Sequence, residues 1–244
     1  TGMQDGDTAI DRLRDPDPRA GAYAFPDQVV DDPSAAIGRV SAHYVVEEGG
    51  RIIRLVPEDK RAWHAGAGEW AGESDLNARA IGIEIVNGGH DFGLPDFPDE
   101  QIEAVIALIA DITARNKLRK HQIIGHSDVA PARKADPGEK FPWKRLADAG
   151  LALWPAIGDA KADAVATLSR GDAGAKVRML QAMLSEIGYG IAESGEYDED
   201  TEIVVRAFQR RFRPVLIDGE ADSETQALVS DILNQTRRLA RGGI

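Results

Sequence analysis

The sequence predicts an α/β domain followed by a small bundle of helices, and three patterns indicate this. Apolar runs of strand length at residues 39–57 and 81–87 predict a sheet. Apolar residues at helical spacing over 99–116 predict a helix that packs on that sheet. Three more helical patterns after residue 168 predict the bundle.

The sheet is predicted from two segments. Residues 39–57 contain RVSAHYVV and RIIRLV joined by EEGG, whose glycines can adopt the positive φ of a tight hairpin turn. The run IGIEIVN at 81–87 alternates branched apolar residues with others and precedes two glycines, so it predicts a third strand. Glu84 lies in the middle of this strand.

The helix at 99–116 follows Pro98 and begins with Asp99 and Glu100, a favourable helix start. The next segment, HQIIGHSD at 121–128, is interpreted as a short strand that runs into a loop. Pro131 and Pro137 exclude a continuous helix through that loop. Loops at strand ends commonly carry chemistry.

Small residues dominate 155–168, which predicts a linker. We therefore divide the chain into a domain at 1–155, a linker at 156–168 and a three-helix domain at 169–244. Asp-x-x-Thr motifs predict N-caps for the last two helices. Residues 15–38 contain four prolines and no clear period, so an extended loop or insertion is expected there.

Composition excludes several classes of function. The formal net charge of -12 disfavours nucleic acid as a partner, because a phosphate backbone would be repelled. No run approaches the roughly 20 apolar residues that span a bilayer, and the first thirty residues lack the pattern of a signal peptide. The absence of cysteine leaves imidazole and carboxylate groups as the metal ligands available.

The most informative segment is GHSDVAPARKADPGEKFPW, residues 125–143, which places His126, Lys134 and Asp136 within one loop. Imidazole and carboxylate suit a catalytic zinc ion, and a nearby lysine can stabilise a developing oxyanion. Spacing alone does not establish this, since a histidine and an aspartate ten residues apart are more often a surface residue and a turn residue.

This segment resembles the end of the catalytic domain of bacterial N-acetylmuramoyl-L-alanine amidases of the type-2 amidase family. Similar segments occur in the same order: SAHYVVEEGG, RAWHAGAGEWAG, LNARAIGIEIVN, FPDEQI and FPWKRLADAGLALWP. The resemblance covers residues 1 to about 155, and the segments are similar in detail to the branch that includes the cytoplasmic anhydromuropeptide amidases and the periplasmic lipoprotein amidases. It implies a mixed central sheet flanked by helices, as in peptidoglycan recognition proteins.

The resemblance also implies a site and a reaction. His126 and Asp136 correspond to two ligands of a Zn2+ cofactor, Lys134 to the lysine that stabilises the transition state, and Glu84 to the catalytic carboxylate. The third ligand of the family belongs to a short HY motif expected upstream of Thr1. The reaction would be hydrolysis of the amide between the lactyl group of N-acetylmuramic acid and L-alanine of peptidoglycan or muropeptides.

Four residues have two interpretations each. Trp63 and His64 resemble the wall of the substrate cleft, although a packed tryptophan beside a half-exposed histidine fits equally well. His43 faces either a metal or the core, and a hydrogen-bonded core histidine is the more common case. Without the resemblance, Glu84 could also be a solvent-facing residue on an edge strand.

The C-terminal domain resembles the three-helix peptidoglycan-binding domain. We expect it to raise the local concentration of a polymeric substrate and to be dispensable for the chemical step. Such a substrate predicts the bacterial cell envelope, in the periplasm, with the cytoplasm as the alternative.

One competing function remains from the sequence, a non-catalytic peptidoglycan-recognition protein that has lost its metal site. The presence of both Lys134 and Glu84 favours the enzyme, since a binder would more often have lost one of them. A general metallopeptidase is disfavoured because the sequence has no HExxH helix.

Overall fold

The computed structural model describes residues 5–19, 38–157 and 165–242. Most of the loop expected at 15–38 and the middle of the linker therefore lie outside the described residues. The chain forms two compact units, one comprising residues 1–66 and 75–107 and the other residues 67–74 and 108–244. The expected boundaries at 155 and 168 thus fall inside the second unit and stay a prediction.

The first unit contains a mixed sheet, as the sequence predicted. Its strands are β1 (Tyr44–Val46), β2 (Ile52–Arg54) and β3 (Ile83–Ile85), in the order β2-β1-β3. β1 is antiparallel to β2, which confirms the hairpin, and parallel to β3. The turn needs Gly50, whose φ is +77° and whose missing Cβ would lie 2.7 Å from the backbone oxygen of Glu100.

Helix α1 (Gly6–Arg14) covers one face of this sheet. The Asp5 carboxylate accepts the Thr8 N–H and so caps its first turn. Ala9 is fully buried against Val45 and Val86, an apolar contact that holds the helix on the sheet. This helix was not among the predicted elements. A short helix α2 (Leu76–Arg79) precedes β3.

Helix α3 (Asp99–Asn116) has the predicted bounds and begins in the first unit. Its apolar positions are buried as the helical period requires: Ile102, Val105, Leu108, Ile109 and Ile112. Gln101 is also fully buried, and its amide nitrogen donates to the backbone oxygens of Val46 and Val86. One side chain thus joins the helix start to the ends of β1 and β3.

The predicted strand at 121–128 is wrong. The segment forms a 3-10 turn (Lys120–Gln122) and then the short helix α4 (His126–Val129). The reason is local hydrogen bonding: the Asp128 N–H donates to the Gly125 oxygen, and the Ala130 N–H donates to the His126 oxygen. These backbone groups are therefore satisfied without a strand partner. Helix α5 (Trp143–Asp148) follows the loop.

The three predicted C-terminal helices are confirmed as α6 (Ala175–Ile187), α7 (Glu199–Phe212) and α8 (Ser223–Ala240). Both predicted caps are present, because Asp198 accepts the Thr201 N–H and Asp222 accepts the Thr225 N–H. The helices share an apolar core centred on Leu180, Leu184, Val205, Phe208 and Ile232. Within the described residues, none of the helices is long and apolar enough to cross a membrane.

We predict that Gln101→Leu destabilises the protein by about 1–3 kcal/mol, because the buried Val86 oxygen loses its donor. Urea unfolding followed by circular dichroism measures this difference. The control is Glu103→Ala, an exposed position on the same helix, which should change stability by less than about 0.5 kcal/mol. Equal stability of the two variants would contradict a structural role for Gln101.

Candidate active site

His126 and Asp136 lie close together in the second unit, as expected for two ligands of one metal ion. The Nδ1 atom of His126 and the Oδ2 atom of Asp136 are 3.0 Å apart. A backbone hydrogen bond also holds the two segments together, since the Ser127 N–H donates to the backbone oxygen of Asp136 at 2.9 Å. His126 opens helix α4, and Asp136 lies on the loop that returns to it. Both side chains are partly buried.

The Asp136 carboxylate is held in its ionised form. Its pKa is lowered to about 2, because the hydrogen bond and the charge of His126, together with the charge of Lys134, outweigh the effect of burial, which raises the pKa. Lys134 ends a turn that is closed by the hydrogen bond from its own N–H to the Ala130 oxygen. His126, Lys134 and Asp136 therefore form one local group in the second unit.

This pair suits a metal ion in chemistry and in spacing. Two ligands that each lie ~2 Å from one zinc ion have donor atoms roughly 3 Å apart. The imidazole nitrogen and the ionised carboxylate oxygen have that spacing. In the part of the chain that the structure describes, no group of three or more potential ligands occurs. The role of His126 and Asp136 as metal ligands stays a prediction, and the third position expected before Thr1 lies outside the described residues.

A buried carboxylate supports the turn that carries His126. Asp128 is 1% exposed, and its Oδ2 atom accepts the Gly125 N–H at 2.8 Å. Gly125 is closely surrounded, because a Cβ there would lie 3.0 Å from Pro137 and 3.2 Å from the Trp143 ring. The backbone immediately before His126 is thus fixed by a side chain and by packing.

Two residues of the helical domain contact the same carboxylate. Arg211 of α7 donates through Nη1 to Asp128 Oδ2 at 2.6 Å, and the Tyr189 hydroxyl donates to Oδ1 at 2.8 Å. Both side chains are nearly inaccessible. Burial and the Asp128 charge raise the pKa of Tyr189 well above its usual value, so its hydroxyl remains a donor.

Asp128, Tyr189 and Arg211 were not among the residues predicted from the sequence. Asp128 has a weak local signal, an acidic side chain at the third position of a helix that follows a glycine. Arg211 has a clearer one, because it lies three residues after the buried Phe208 and so falls on the apolar face of α7. A charge in that position indicates a buried ion pair. Nothing in the sequence identifies its partner.

Glu84 lies in the first unit, in the middle of β3 and opposite Val45 of β1. Paired residues of parallel strands share a face, and side chains alternate along a strand. Glu84 is therefore on the face of Val45 and Val86, which α1 covers. In the described sheet β3 pairs with β1, and Glu84 is partly buried there. Its catalytic role stays a prediction.

His43 and His64 enclose the start of β3. The His43 ring is buried, with Nδ1 accepting the Gly82 N–H and Nε2 donating to the Lys60 oxygen, so both nitrogens are used in the core. His64 packs directly on Gly82, where a Cβ would lie 2.3 Å from the His64 ring. The His64 Nε2 atom is 3.2 Å from the Ala80 oxygen.

Trp63 is 52% exposed, which disagrees with a packed tryptophan. The Arg61 guanidinium lies 4.1 Å from the centre of its ring and pairs with both oxygens of Asp75. The exposed ring is available to a ligand. The assignment of Trp63 and His64 to a substrate cleft stays a prediction.

A cleft in the second unit lies beside the loop that carries Lys134. It has a volume of about 540 Å³ and an opening to solvent. The loop side contributes residues 129–133 and 67–69, and the helical domain contributes residues 190–192 and the start of α7. Its lining mixes apolar side chains with the charged groups of Glu69, Arg133, Asp198 and Asp200.

We predict that Gly82→Ala destabilises the protein by about 1–3 kcal/mol, because the added methyl group overlaps the His64 ring. The variant should also shift the imidazole signals of His43 and His64 in nuclear magnetic resonance spectra. Gly49→Ala is the control, since a Cβ there meets no atom within 4 Å. Unchanged stability and spectra for Gly82→Ala would contradict the close packing.

Comparison with known proteins places these features in a family. Residues 1–139 match the N-acetylmuramoyl-L-alanine amidase family, and residues 173–229 match a peptidoglycan binding domain. The second match lies within the predicted three-helix domain. The first spans more than half of the chain and includes all six predicted site residues: Trp63, His64, Glu84, His126, Lys134 and Asp136.

Individual relatives support the same family assignment. The chain is 37% identical over 217 residues to the N-acetylmuramoyl-L-alanine amidase AmiD of Escherichia coli, covering 81% of this chain and 75% of AmiD. The solved complex of AmiD with anhydro-N-acetylmuramic acid-L-Ala-D-gamma-Glu-L-Lys superposes with a TM-score of 0.70 at 36% identity, covering 82% of this chain and 81% of AmiD. The crystal structure of AmpDH3 of Pseudomonas aeruginosa superposes with a TM-score of 0.67 at 33% identity. This match covers 81% of this chain and 83% of AmpDH3.

These matches extend across the sheet, the candidate site and the helical domain. They favour the enzyme over a recognition protein without catalysis, since the relatives named are amidases. The chain belongs to the N-acetylmuramoyl-L-alanine amidases of the type-2 amidase family, with a peptidoglycan-binding domain at its C-terminal end.

Proposed function

We propose that this amidase is zinc-dependent and hydrolyses the amide bond between the lactyl group of N-acetylmuramic acid and the first L-alanine of a stem peptide. The observation that supports this most directly is the facing pair of His126 and Asp136, 3.0 Å apart beside Lys134. An amidase needs to polarise a stable carbonyl and to activate water, and this donor set fits both tasks.

His126 and Asp136 would hold the metal, together with the third ligand that the family pattern requires. A zinc ion, when bound, polarises the amide carbonyl and lowers the pKa of a water molecule toward neutrality. Asp136 contributes a carboxylate that is ionised throughout the neutral range, since its pKa is about 2. The Ser127 N–H, which donates to the Asp136 backbone oxygen, holds the two ligand-bearing segments together.

The remaining steps belong to Glu84 and Lys134. Glu84 acts as the general base that takes the proton of the attacking water and then passes it to the departing amine. Lys134 places a positive charge beside the tetrahedral oxyanion as the carbonyl oxygen gains charge. Trp63 offers an exposed aromatic face to the sugar or peptide of the substrate.

The substrate class we propose is peptidoglycan, including the muropeptides released from it. AmiD has been solved with a substrate of this kind, an anhydromuramic acid joined to a tripeptide. The attached domain favours polymeric murein, because a second binding site raises the local concentration of a polymer. This substrate in turn favours the bacterial cell envelope, in the periplasm, over the cytoplasm.

We predict that Lys134→Ala and Glu84→Gln each lower kcat by roughly 100-fold or more on a soluble muropeptide, the scale expected for losing an oxyanion stabiliser or a general base. Thermal unfolding should change little. Lys120→Ala and Glu103→Gln are matched controls at exposed positions and should retain the activity of the parent protein. Near-normal turnover by Lys134→Ala or Glu84→Gln would remove that residue from the mechanism.

A second prediction concerns the metal. Removal of metal with a chelator should abolish activity, and added zinc should restore it. Elemental analysis should find about one zinc ion per chain. His126→Ala and Asp136→Asn should lower that content, whereas His121→Ala, which alters a histidine in a separate 3-10 turn, should not. Full activity after exhaustive chelation would exclude zinc dependence.

A further inference from the structure

We propose that Arg211 and Tyr189 of the helical domain are positioning residues for catalysis, acting through Asp128 on the turn that carries His126. The helical domain would then be part of the amidase site as well as a means of holding polymer. This inference rests on the amidase activity of the family and on contacts within the second unit, and it holds whichever metal the site takes.

The Asp128 carboxylate is isolated from solvent. Asp128, Tyr189 and Arg211 are 1%, 2% and 3% exposed, respectively. A buried carboxylate needs partners for its charge and for its hydrogen-bonding positions. The helical domain supplies the guanidinium and the hydroxyl, and the catalytic region supplies the Gly125 N–H.

The orientation of Arg211 is fixed by contacts on two further segments. Its Nη2 atom donates to the Ile123 oxygen at 2.8 Å, and its guanidinium lies 4.1 Å from the centre of the Trp143 ring. Ile123 precedes the turn, and Trp143 follows the loop of Lys134 and Asp136. One side chain of α7 therefore contacts the catalytic segment before, within and after the site residues.

The backbone around His126 connects these contacts to the reacting groups. Asp128 Oδ2 fixes the Gly125 N–H, and Gly125 is the residue before His126. The Ser127 N–H in turn holds the Asp136 backbone. A weaker hold on Asp128 would let the turn move, and displacements of about 1 Å at a catalytic group can cost roughly 100-fold in rate.

Further contacts show that the docking is extensive. The Ala71 N–H donates to the Gly188 oxygen at 2.7 Å, and Trp70 packs edge-on against Tyr189. A Cβ at Gly188 would lie 2.6 Å from the Trp70 ring. A domain that served only as a tether would not need such contacts. They argue against the expectation that the helical domain is dispensable for the chemical step.

The chain offers matched controls for both residues. Tyr197 is a buried tyrosine of the same domain whose hydroxyl donates to the Gly219 oxygen. Arg213 is a buried arginine that pairs with Asp222 inside that domain. Tyr189→Phe and Tyr197→Phe therefore remove the same atom, and Arg211→Lys and Arg213→Lys make the same change. Only the first variant of each pair alters the contact with Asp128.

The experiment measures kcat and KM on soluble anhydro-N-acetylmuramic acid-L-Ala-D-gamma-Glu-L-Lys, so that polymer binding plays no part. We expect Tyr189→Phe to lower kcat by roughly threefold to tenfold and Arg211→Lys by roughly 10- to 100-fold, with KM changed by less than about twofold. Tyr197→Phe and Arg213→Lys should keep the parent kcat, even if they unfold at a lower temperature.

A second measurement does not depend on activity. The imidazole signals of His126 in the metal-free protein, assigned with His126→Ala, should broaden or shift in Tyr189→Phe and stay unchanged in Tyr197→Phe. If Arg211→Lys does not fold, the comparison of Tyr189→Phe with Tyr197→Phe tests the proposal. Equal kcat for Tyr189→Phe and Tyr197→Phe, with identical His126 signals, would overturn the proposal while leaving the amidase assignment intact.

Discussion

The buried carboxylate of Asp128 is the constraint on which the arrangement of the second unit depends. A charge removed from solvent is tolerated only when its oxygens are paired, and here three donors from separate segments supply that pairing. Losing one partner of such a pair commonly costs about 3–5 kcal/mol. The position of the His126 turn is therefore linked energetically to helix α7.

This constraint explains why the last part of the amidase match and the peptidoglycan-binding match share one compact unit. The amidase match ends at residue 139 and the peptidoglycan-binding match begins at residue 173, yet residues 108–244 cluster together. Trp143 and Arg211 contribute to this through a cation-π contact that is shielded from water. Within the second unit, the attached domain therefore packs against the segment that carries His126 and Asp136.

In the first unit, polar side chains hold the strand β3 in place. There the alignment of β3, and with it Glu84, depends on the backbone at Gly82, which His43 holds by hydrogen bonds and His64 by contact. Gln101 performs the equivalent task at the other end of the strand by bonding to the Val86 oxygen. Both ends of the strand that carries the proposed base are therefore fixed by buried polar side chains, whose hydrogen bonds are directional.

The sequence by itself determined the hairpin, the long helix α3, the three C-terminal helices with their aspartate caps, and the family. These features depend on local periodicity, on turn residues or on motifs, all of which are written along the chain. The prediction from sequence was wrong at 121–128, where apolar residues suggested a strand. There the hydrogen bonds around α4 include the Asp128 side chain, which accepts the Gly125 N–H. Only the tertiary structure decided the partners of Asp128, since Arg211 lies 83 residues away and no local pattern relates the two. The pairing follows from burial, which requires each charge to find its counterpart wherever the chain brings one.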